Sequence, residues 1–366
     1  MVVDQDFLKE NVNRYRKLIR GEKVDFAPFR LWLDDTFVTW FTGIAPTKYF
    51  ADFETMFEAQ KSVNDRFYDL RDFSADVSIL DIYFDLDAFA SDFSGLGHTM
   101  KNAYGPCHVL GPGLDNFHKY RCRKTFSEIR GVKRLLEGIH FFNQRLPKHK
   151  QVHYYFGSTG AMDLFSIFRG TEQCFTDFYD NPVCVKKIFD FLHERTLGWL
   201  EFVEKTFSSM SSHNNLFDKI DIGEDYCAYL PSDIFDEFVV PYTGDIFKKY
   251  KNKVLCSLHT DGDIVPAGIG TLNHLQLDEL MGFSPNIDIK KFREALPDVI
   301  LGGNIHPIKV MIEGTAQDVK SAAKYCFENA NQGQKFVLCT GGAISAGAKP
   351  ENVDAFIEST YETVKY

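Results

Sequence analysis

His259 and Asp261 are the two residues whose type and spacing most clearly suggest chemistry. They follow the apolar run at 254–258 and are separated by a single residue. On an extended segment this spacing points both side chains to the same side. An imidazole and a carboxylate placed together can ligate zinc, or they can form a base that is oriented by an acid. The sequence leaves these two alternatives open, and under either one His259 and Asp261 are predicted catalytic residues.

Other acidic residues also stand where an apolar run ends. If the runs are neighbouring parallel strands, these carboxylates meet in one cleft and repel one another, which raises their pKa values or favours a bound cation. On this argument Glu224 is a third candidate catalytic residue. The alternative is that an acidic residue at a strand end caps the helix that follows, and for any single residue this is the simpler explanation. The acidic residues in question are Asp34, Asp35, Glu224, Asp225, Asp278 and Glu279.

Two sets of candidate site residues follow from this pattern. Residues that can ligate a metal, with zinc as the metal considered, form the first set: His259, Asp261, Glu224, Asp278, Glu279 and Cys339. Residues expected to contact a substrate form the second set: Trp32, Asp34, Tyr83, Asp225 and Asn304. The 35 Phe and 16 Tyr of the chain are compatible with an aromatic-lined pocket and equally with an aromatic core.

Helical segments alternate with the apolar runs, and this alternation predicts consecutive βα units. Roughly eight such units favour an α/β fold of the (β/α)8 barrel type, in which all strand ends meet at one mouth. We expect one domain over residues 1–366, with a helical lead-in over about 1–22 and an irregular excursion over about 84–125. Ser232 is expected to cap a helix over 233–250. The predicted strands are 28–33, 77–83, 152–156, 218–222, 254–258, 275–277, 299–301 and 336–339.

The composition limits the partners. Lys and Arg number 41 against 51 Asp and Glu, and such an acidic chain is not expected to bind nucleic acid or an anionic membrane. Residues 1–20 lack the apolar core of a signal peptide, and no later segment approaches a transmembrane span, so a cytoplasmic location is expected. The eight cysteines form no C-x-x-C pair, and no glycine-rich phosphate-binding motif occurs.

Four segments together resemble a known family, and they keep the family's order and spacing from about residue 20 to the end. The segments are Gly223-Glu224-Asp225 with the later Pro241-Tyr242, Leu258-His259-Thr260-Asp261-Gly262, Gly302-Gly303-Asn304-Ile305-His306-Pro307, and the stretch from Phe336 through Val353. They resemble the signature segments of the uroporphyrinogen decarboxylase superfamily. The resemblance implies the same (β/α)8 barrel.

The resemblance also implies one of two activities. Decarboxylases of the superfamily hold the carboxylates of the substrate with an arginine-rich motif after the first strand, whereas residues 30–35 of this chain contain one arginine and two aspartates. The methyltransferases of the superfamily commonly bind zinc through His-x-Cys and a distant Cys. Here His259 matches the His, Asp261 stands at the first Cys position, and Gly342 stands at the second, three residues after Cys339. An oxygen-rich metal site, or no metal, is therefore implied.

The methyltransferase branch is the expected one because the arginines are missing. The resemblance then implies a corrinoid-dependent methyltransferase of anaerobic metabolism that demethylates a small methylated substrate, with O-demethylation of a methoxylated aromatic as the first choice. The methyl group would pass to the cobalamin, as cob(I)alamin, of a separate corrinoid protein, since no D-x-H-x-x-G motif occurs here. Three alternatives stay open: a decarboxylase, a non-catalytic small-molecule-binding barrel, and methyl transfer in reverse, from methylcobalamin to tetrahydrofolate or a thiol.

Overall fold

The computed structural model describes residues 5–68, 70, 74–75, 124–152, 154–207, 218–265 and 267–366. The predicted strand at 77–83, which contains Tyr83, lies outside the described residues. So does nearly all of the predicted excursion at 84–125.

Within the described residues, six parallel strands form one sheet in chain order. They are β1 Gly157–Thr159, β2 Lys219–Gly223, β3 Leu255–His259, β4 Glu279–Met281, β5 Ile300–Gly302 and β6 Phe336–Val337. The register places Asp221 beside Ser257 and Ser257 beside Glu279, while His259 lies beside Met281 at the carboxyl end. Because side chains alternate between the two faces of a strand, these five residues share the face that lines the barrel.

Helices separate the strands, as the alternation predicts. The α-helices in the described ranges are α1 Gln5–Lys9, α2 Asn11–Ile19, α3 Asp35–Thr42, α4 Pro46–Ala51, α5 Phe53–Arg66, α6 Arg130–Asn143, α7 Ala161–Arg169, α8 Thr171–Asp180, α9 Pro182–Phe207, α10 Ser232–Phe238, α11 Thr243–Tyr250, α12 Ile289–Ala295, α13 Ala316–Ala330 and α14 Pro350–Glu362. Local signals explain several starts: Thr315 and Asp318 form a capping box before α13, and Pro350 is the first residue of α14. None of the described helices is both long and apolar enough to cross a membrane.

Extended residues near the N-terminus lie along the free edge of β6. The N–H of Arg30 donates to the carbonyl of Leu338 (2.9 Å), and the N–H of Leu338 donates to the carbonyl of Pro28 (2.8 Å). Further along, the N–H of Ile344 donates to the carbonyl of Trp32 (2.8 Å). The segment predicted as the first strand therefore pairs in parallel with the last one, as closure of a barrel requires. The predicted α/β, TIM-barrel-like fold is confirmed.

In the part of the chain that the structure describes, two apolar clusters form the core. The larger one packs the helices against the outer faces of the strands, and it includes Ile220, Leu258 and Leu280. The smaller one lies inside the barrel, where Tyr15 and Leu18 of α2 meet side chains of the strands. The strand residues of this inner cluster are Leu255, Met281, Ile300 and Val337, and Cys339, two residues after the end of β6, joins them. The helical lead-in thus closes the amino end of the barrel.

Several boundaries differ from the predictions. The strand predicted at 152–156 begins only at Gly157, where the missing side chain lets β1 approach β2 closely. The helix predicted over 233–250 is divided into α10 and α11 around Pro241, whose ring cannot continue a helix. Pro231, and not Ser232, occupies the N-cap position of α10, and Ser232 is already inside the first turn. The short helices α3 and α8 were not predicted.

Candidate functional site

Three side chains meet at the carboxyl end of the sheet. His259 is the last residue of β3, Asp261 follows it in the same loop, and Asp225 lies in the loop after β2. One ligand atom from each of these residues lies within 4.8 Å of the other two, and the described residues contain no other group of three His, Cys, Asp or Glu side chains so close together. The predicted convergence of His259 and Asp261 at the barrel mouth is therefore confirmed, and Asp225 joins them.

The imidazole of His259 has a defined orientation. Its Nδ1 atom lies 2.9 Å from the carbonyl oxygen of Met281. Because a carbonyl only accepts, Nδ1 donates, and in the neutral ring Nε2 then carries the lone pair. Nε2 lies 3.5 Å from Oδ1 of Asp225. The indole of Trp32 packs edge to face against the imidazole, with ring centroids 4.9 Å apart.

Asp225 and Asp261 interact directly. Oδ1 of Asp225 accepts the backbone N–H of Asp261 at 3.1 Å. Burial of the carboxyl group and the negative charge of Asp225 raise the pKa of Asp261 to about 6. Asp261 as a whole residue is exposed, whereas its carboxyl group is turned inward and largely buried. An acid with this pKa exists in both protonation states near neutral pH, which suits proton transfer.

Two glycines provide the space for this group. Gly282, which follows β4, has φ +65°, and a Cβ atom at this position would come within 2.8 Å of Nδ1 of His259. Gly342 has φ +110°, and a Cβ atom there would lie 3.0 Å from Oδ2 of Asp261. Both backbone conformations also favour glycine in themselves. A side chain at either position would displace a member of the site.

The donor set of the site fits a divalent cation. Nε2 of His259 is not used by the bond to Met281, and the carboxylates of Asp225 and Asp261 supply oxygen ligands. One nitrogen and two oxygens match the ligand types of zinc and leave a coordination position open for a substrate atom. The Met281 carbonyl orients the imidazole in the manner usual for metal-binding histidines.

Comparison with known proteins identifies the family. A uroporphyrinogen decarboxylase (URO-D) family model matches residues 13–363. This chain belongs to the uroporphyrinogen decarboxylase family. Comparison with curated protein sequences finds no significant match.

Solved structures agree with the family fold. A methyltransferase from Methanosarcina mazei is similar, with a TM-score of 0.71 and 15% identity, over 96% of this chain and 98% of that chain. At this identity the likeness shows a shared fold. A B12-independent methionine synthase from Shewanella sp. W3-18-1, in complex with selenomethionine, aligns over 55% of this chain and 60% of its own with 12% identity. Its TM-score of 0.37 supports no argument.

Asp278 and Glu279 lie at the end of the family barrel opposite to the mouth. β4 begins at Glu279, whereas the sequence predicted a strand that ends at 277. Gln276 has φ +55° and ends a short helix, so the chain enters the sheet only after this turn. Oδ1 of Asp278 accepts a hydrogen bond from Nζ of Lys251 at 2.5 Å. This contact lies at the start of β4, whereas the three mouth residues lie at the carboxyl ends of the strands. The prediction that Asp278 and Glu279 are at the mouth was wrong.

Glu279 and Cys339 face the interior of the barrel below the mouth. The carboxylate of Glu279 accepts from the hydroxyl of Tyr15 (2.6 Å) and from Nζ of Lys219 (2.7 Å). Cys339 lies in the inner apolar cluster, and burial raises the pKa of its thiol. Neither residue joins the group at the mouth, although both were predicted as metal ligands.

Glu224 is buried behind the mouth, between β2 and two helices. It is 1% exposed. One carboxylate oxygen accepts the hydroxyl of Thr243 at 2.8 Å, and the other accepts the N–H of Asp163 at 3.2 Å. Gly160 leaves room for it, because a Cβ atom there would collide with the carboxylate. Burial raises the pKa of Glu224 to about 7. Glu224 therefore caps the start of α7 and does not join the three mouth residues.

Some of the predicted substrate-binding residues lie at the mouth, and others have structural roles elsewhere. Trp32 and Asp225 line the mouth. Oδ1 of Asp34 accepts the N–H of Phe37 at 2.8 Å and caps α3, which confirms the helix-capping alternative for this residue. The side-chain amide of Asn304 donates to the carbonyl of Ser284 at 2.7 Å and holds the loop after β4. Tyr83 lies outside the described residues.

Two polar residues near the site were missed. Asp221 lines the barrel below the mouth, where the charges of Lys219 and Arg30 lower its pKa although burial opposes this. The alternation of polar and apolar residues in β2 was a signal that could have identified its inward face. Asp163 lies on α7 and is 8% exposed. Its sequence neighbourhood contains no comparable signal.

Proposed function

We propose that this protein is a corrinoid-dependent methyltransferase, which removes a methyl group from a small donor and passes it to the cob(I)alamin of a separate corrinoid protein. The observation that carries the proposal is the group of Asp225, His259 and Asp261 at the barrel mouth. Two of its members, His259 and Asp261, stand at positions where the resemblance implies zinc ligands in the methyltransferases of the superfamily. Membership of the family and the fold shared with the Methanosarcina mazei methyltransferase support the proposal.

The donor we propose is a methoxylated aromatic compound. Trp32 presents an aromatic surface beside His259. The guanidinium of Arg30 stacks on the indole of Trp32, 4.5 Å from its centroid. Aromatic rings pack favourably on such a surface in stacked or edge-to-face geometry. The family's thiolate ligands are replaced by Asp261 and Gly342, which disfavours a thiol as the substrate.

The reaction is an in-line displacement at the methyl carbon. The bond between the methyl carbon and the ether oxygen breaks, its electron pair stays on the oxygen, and the electron pair of cob(I)alamin forms the new cobalt–carbon bond. The leaving phenolate then takes one proton. We propose that Asp261 gives it, because its pKa of about 6 keeps part of the carboxyl group protonated near neutral pH.

Asp225, His259 and Asp261 would hold a divalent cation. Such a cation, when bound, supplies Lewis-acid stabilisation of the negative charge on the leaving oxygen. The residues of this chain orient the ligands. The carbonyl of Met281 fixes the imidazole of His259, and the carboxylate of Asp225 holds the loop of Asp261 by accepting the backbone N–H of Asp261. Proton donation by Asp261 and Lewis-acid activation are alternatives that metal analysis distinguishes.

The acidic mouth argues against decarboxylation of a polycarboxylate. Asp225 and Asp261 would repel several substrate carboxylates, and Asp34 occupies the region where decarboxylases of the superfamily have arginines. We therefore place the decarboxylase alternative behind the methyltransferase.

The test is methyl transfer to free cobalamin. The protein is mixed anaerobically with cob(I)alamin and a panel of methoxylated aromatics, methylated amines and methylated thiols, and the absorbance of methylcobalamin is followed. We expect methylcobalamin with a methoxylated aromatic, loss of turnover in the His259→Ala/Asp261→Ala double variant, and unchanged turnover in His274→Ala. His274 is exposed and paired with Asp236 on the protein surface.

Each other outcome would decide against the proposal in a defined way. No change of the cobalamin spectrum with any donor, together with calorimetric binding of a donor, would favour the non-catalytic binding barrel. Release of carbon dioxide from a polycarboxylate would favour the decarboxylase. Formation of a methylated thiol or methyltetrahydrofolate from methylcobalamin would reverse the direction of transfer.

A further inference from the structure

The carboxylate of Asp163 holds the loop that carries Asp225. Oδ2 of Asp163 accepts the backbone N–H of Asp225 at 3.0 Å, and Oδ1 accepts the backbone N–H of Tyr226 at 2.9 Å. The bonding is reciprocal, because the N–H of Asp163 donates to the carboxylate of Glu224 at 3.2 Å. The first turn of α7 and the loop after β2 are thus joined by three hydrogen bonds from backbone N–H groups to carboxyl oxygens.

This connection continues to the site. The Asp225 carboxylate lies 3.5 Å from Nε2 of His259 and accepts the N–H of Asp261 at 3.1 Å. A backbone shift at Asp225 would change both relationships at once. Asp163 therefore acts on the two other mouth residues through Asp225, without a hydrogen bond of its own to either of them among the described contacts.

We propose that Asp163 is a positioning residue that fixes the Asp225 carboxylate in the geometry needed to complete the cation site with His259 and Asp261. The proposal rests on the proposed function for its consequence in catalysis. Its structural content, the placement of Asp225, stands without it.

The location of Asp163 supports a specific role. Asp163 is only 8% exposed and lies beside the acids Glu224 and Asp225, so its carboxyl group reduces the stability of the fold unless its hydrogen bonds compensate. Asparagine has the same shape but offers only one acceptor, so one of the two backbone donors would face its amide N–H. A carboxyl group has an acceptor on each of its two oxygens and therefore satisfies both donors here. The residue type thus matches the two N–H groups, of Asp225 and Tyr226, at the start of the helical turn Tyr226–Tyr229.

The experiment compares Asp163→Asn with Asp177→Asn as a matched control. Asp177 is also a buried acid on a helix, but its carboxylate pairs with Arg169, away from the mouth. Two properties are measured: the affinity and visible spectrum of added Co²⁺, and the hydrogen exchange of individual backbone amides by NMR without metal. The Asp261 amide is the decisive one, because its acceptor is the Asp225 side chain and not Asp163.

We expect Asp163→Asn to weaken Co²⁺ binding roughly 10- to 100-fold and to alter its spectrum. Exchange of the Asp261 amide should accelerate roughly ten-fold. Asp177→Asn should change neither. If Asp163→Asn does not fold, Asp163→Ser, which keeps one acceptor and adds no bulk, is measured in the same way.

The proposal is overturned if the folded Asp163 variant keeps both the wild-type Co²⁺ affinity and the slow exchange of the Asp261 amide. Failure of the proposed function gives a different result. If the wild-type protein neither binds Co²⁺ nor transfers methyl groups, the exchange of the Asp261 amide still decides whether Asp163 positions Asp225.

Discussion

Nε2 of His259 faces Oδ1 of Asp225 across 3.5 Å, while Nδ1 of the same ring is held by the carbonyl of Met281 at 2.9 Å. His259 is the last residue of β3, and Asp225 lies in the loop after the neighbouring strand β2, 34 positions earlier in the sequence (259 minus 225). One nitrogen is therefore used for orientation and the other is directed towards the carboxylates. This relationship makes the mouth a candidate cation site.

Metal content tests the site directly. We expect near-stoichiometric zinc in the purified protein by elemental analysis, and loss of this zinc in His259→Ala because the nitrogen ligand is removed. His274→Ala is the matched control, since His274 also lies close to a carboxylate, 2.6 Å from Asp236, but on the exposed surface. Equal zinc in wild type and His259→Ala would remove His259 from the metal site.

Absence of metal from every preparation, including samples dialysed against zinc, would have a different meaning. It would leave proton donation by Asp261 as the means of leaving-group stabilisation. The pH profile of methyl transfer should then fall as the pH rises through about 6, because the pKa of Asp261 is raised to that value and the acid form is lost above it.

Gly282→Ala should disturb His259 without removing any ligand. The new Cβ atom would come within 2.8 Å of Nδ1, and the ring must move away from Met281. The control is Gly43→Ala, where φ is also left-handed at +68° but no atom lies within 4 Å of the new Cβ. Both variants should lose about 1–2 kcal/mol of stability from the backbone conformation. Only Gly282→Ala should weaken metal binding, by roughly ten-fold or more.

The outcome is read by metal titration and thermal unfolding of both variants. Equal effects on metal affinity in Gly282→Ala and Gly43→Ala would show that contact with His259 does not matter.

Glu279→Gln should affect stability and leave the metal site intact. The carboxylate is fully buried and paired with Lys219 at 2.7 Å, so neutralising it leaves the partly buried ammonium group of Lys219 without its closest counter-charge. Loss of one partner from such a pair typically costs about 3–5 kcal/mol. Glu201→Gln, in an exposed pair with Lys249, should change stability by less than about 1 kcal/mol. Chemical denaturation measures both; reduced zinc content in folded Glu279→Gln would contradict the structural role.

The pH dependence of stability should reveal Glu224. Burial raises its pKa from 4.5 to about 7, so between these values the folded state binds a proton that the unfolded state has lost. Stability should therefore decrease as the pH rises from 4.5 to 7, by up to about 3 kcal/mol from this group. Glu224→Gln cannot titrate, and its free energy of unfolding should be flatter over this range. Parallel wild-type and variant profiles in urea denaturation would refute this assignment.

Local pattern was sufficient for much of the fold. The alternation of apolar runs and helical segments predicts the parallel order of the strands, because hydrophobic periodicity is a property of neighbouring residues. The spacing of His259 and Asp261 likewise predicts their shared direction, since both belong to one short segment. The family resemblance rests on the same local signals, and its segments lie within the matched residues 13–363.

Tertiary structure decided which distant residues complete the site. Asp278 and Glu279 look like strand-end carboxylates in the sequence, but the left-handed turn at Gln276 delays the strand and places them at its start. A shift of a few residues in register moves a side chain to the other end of a barrel, and no local pattern reports it. Asp163 shows the same limit, because its contact with Asp225 spans 62 positions and depends on how α7 packs beside the loop after β2.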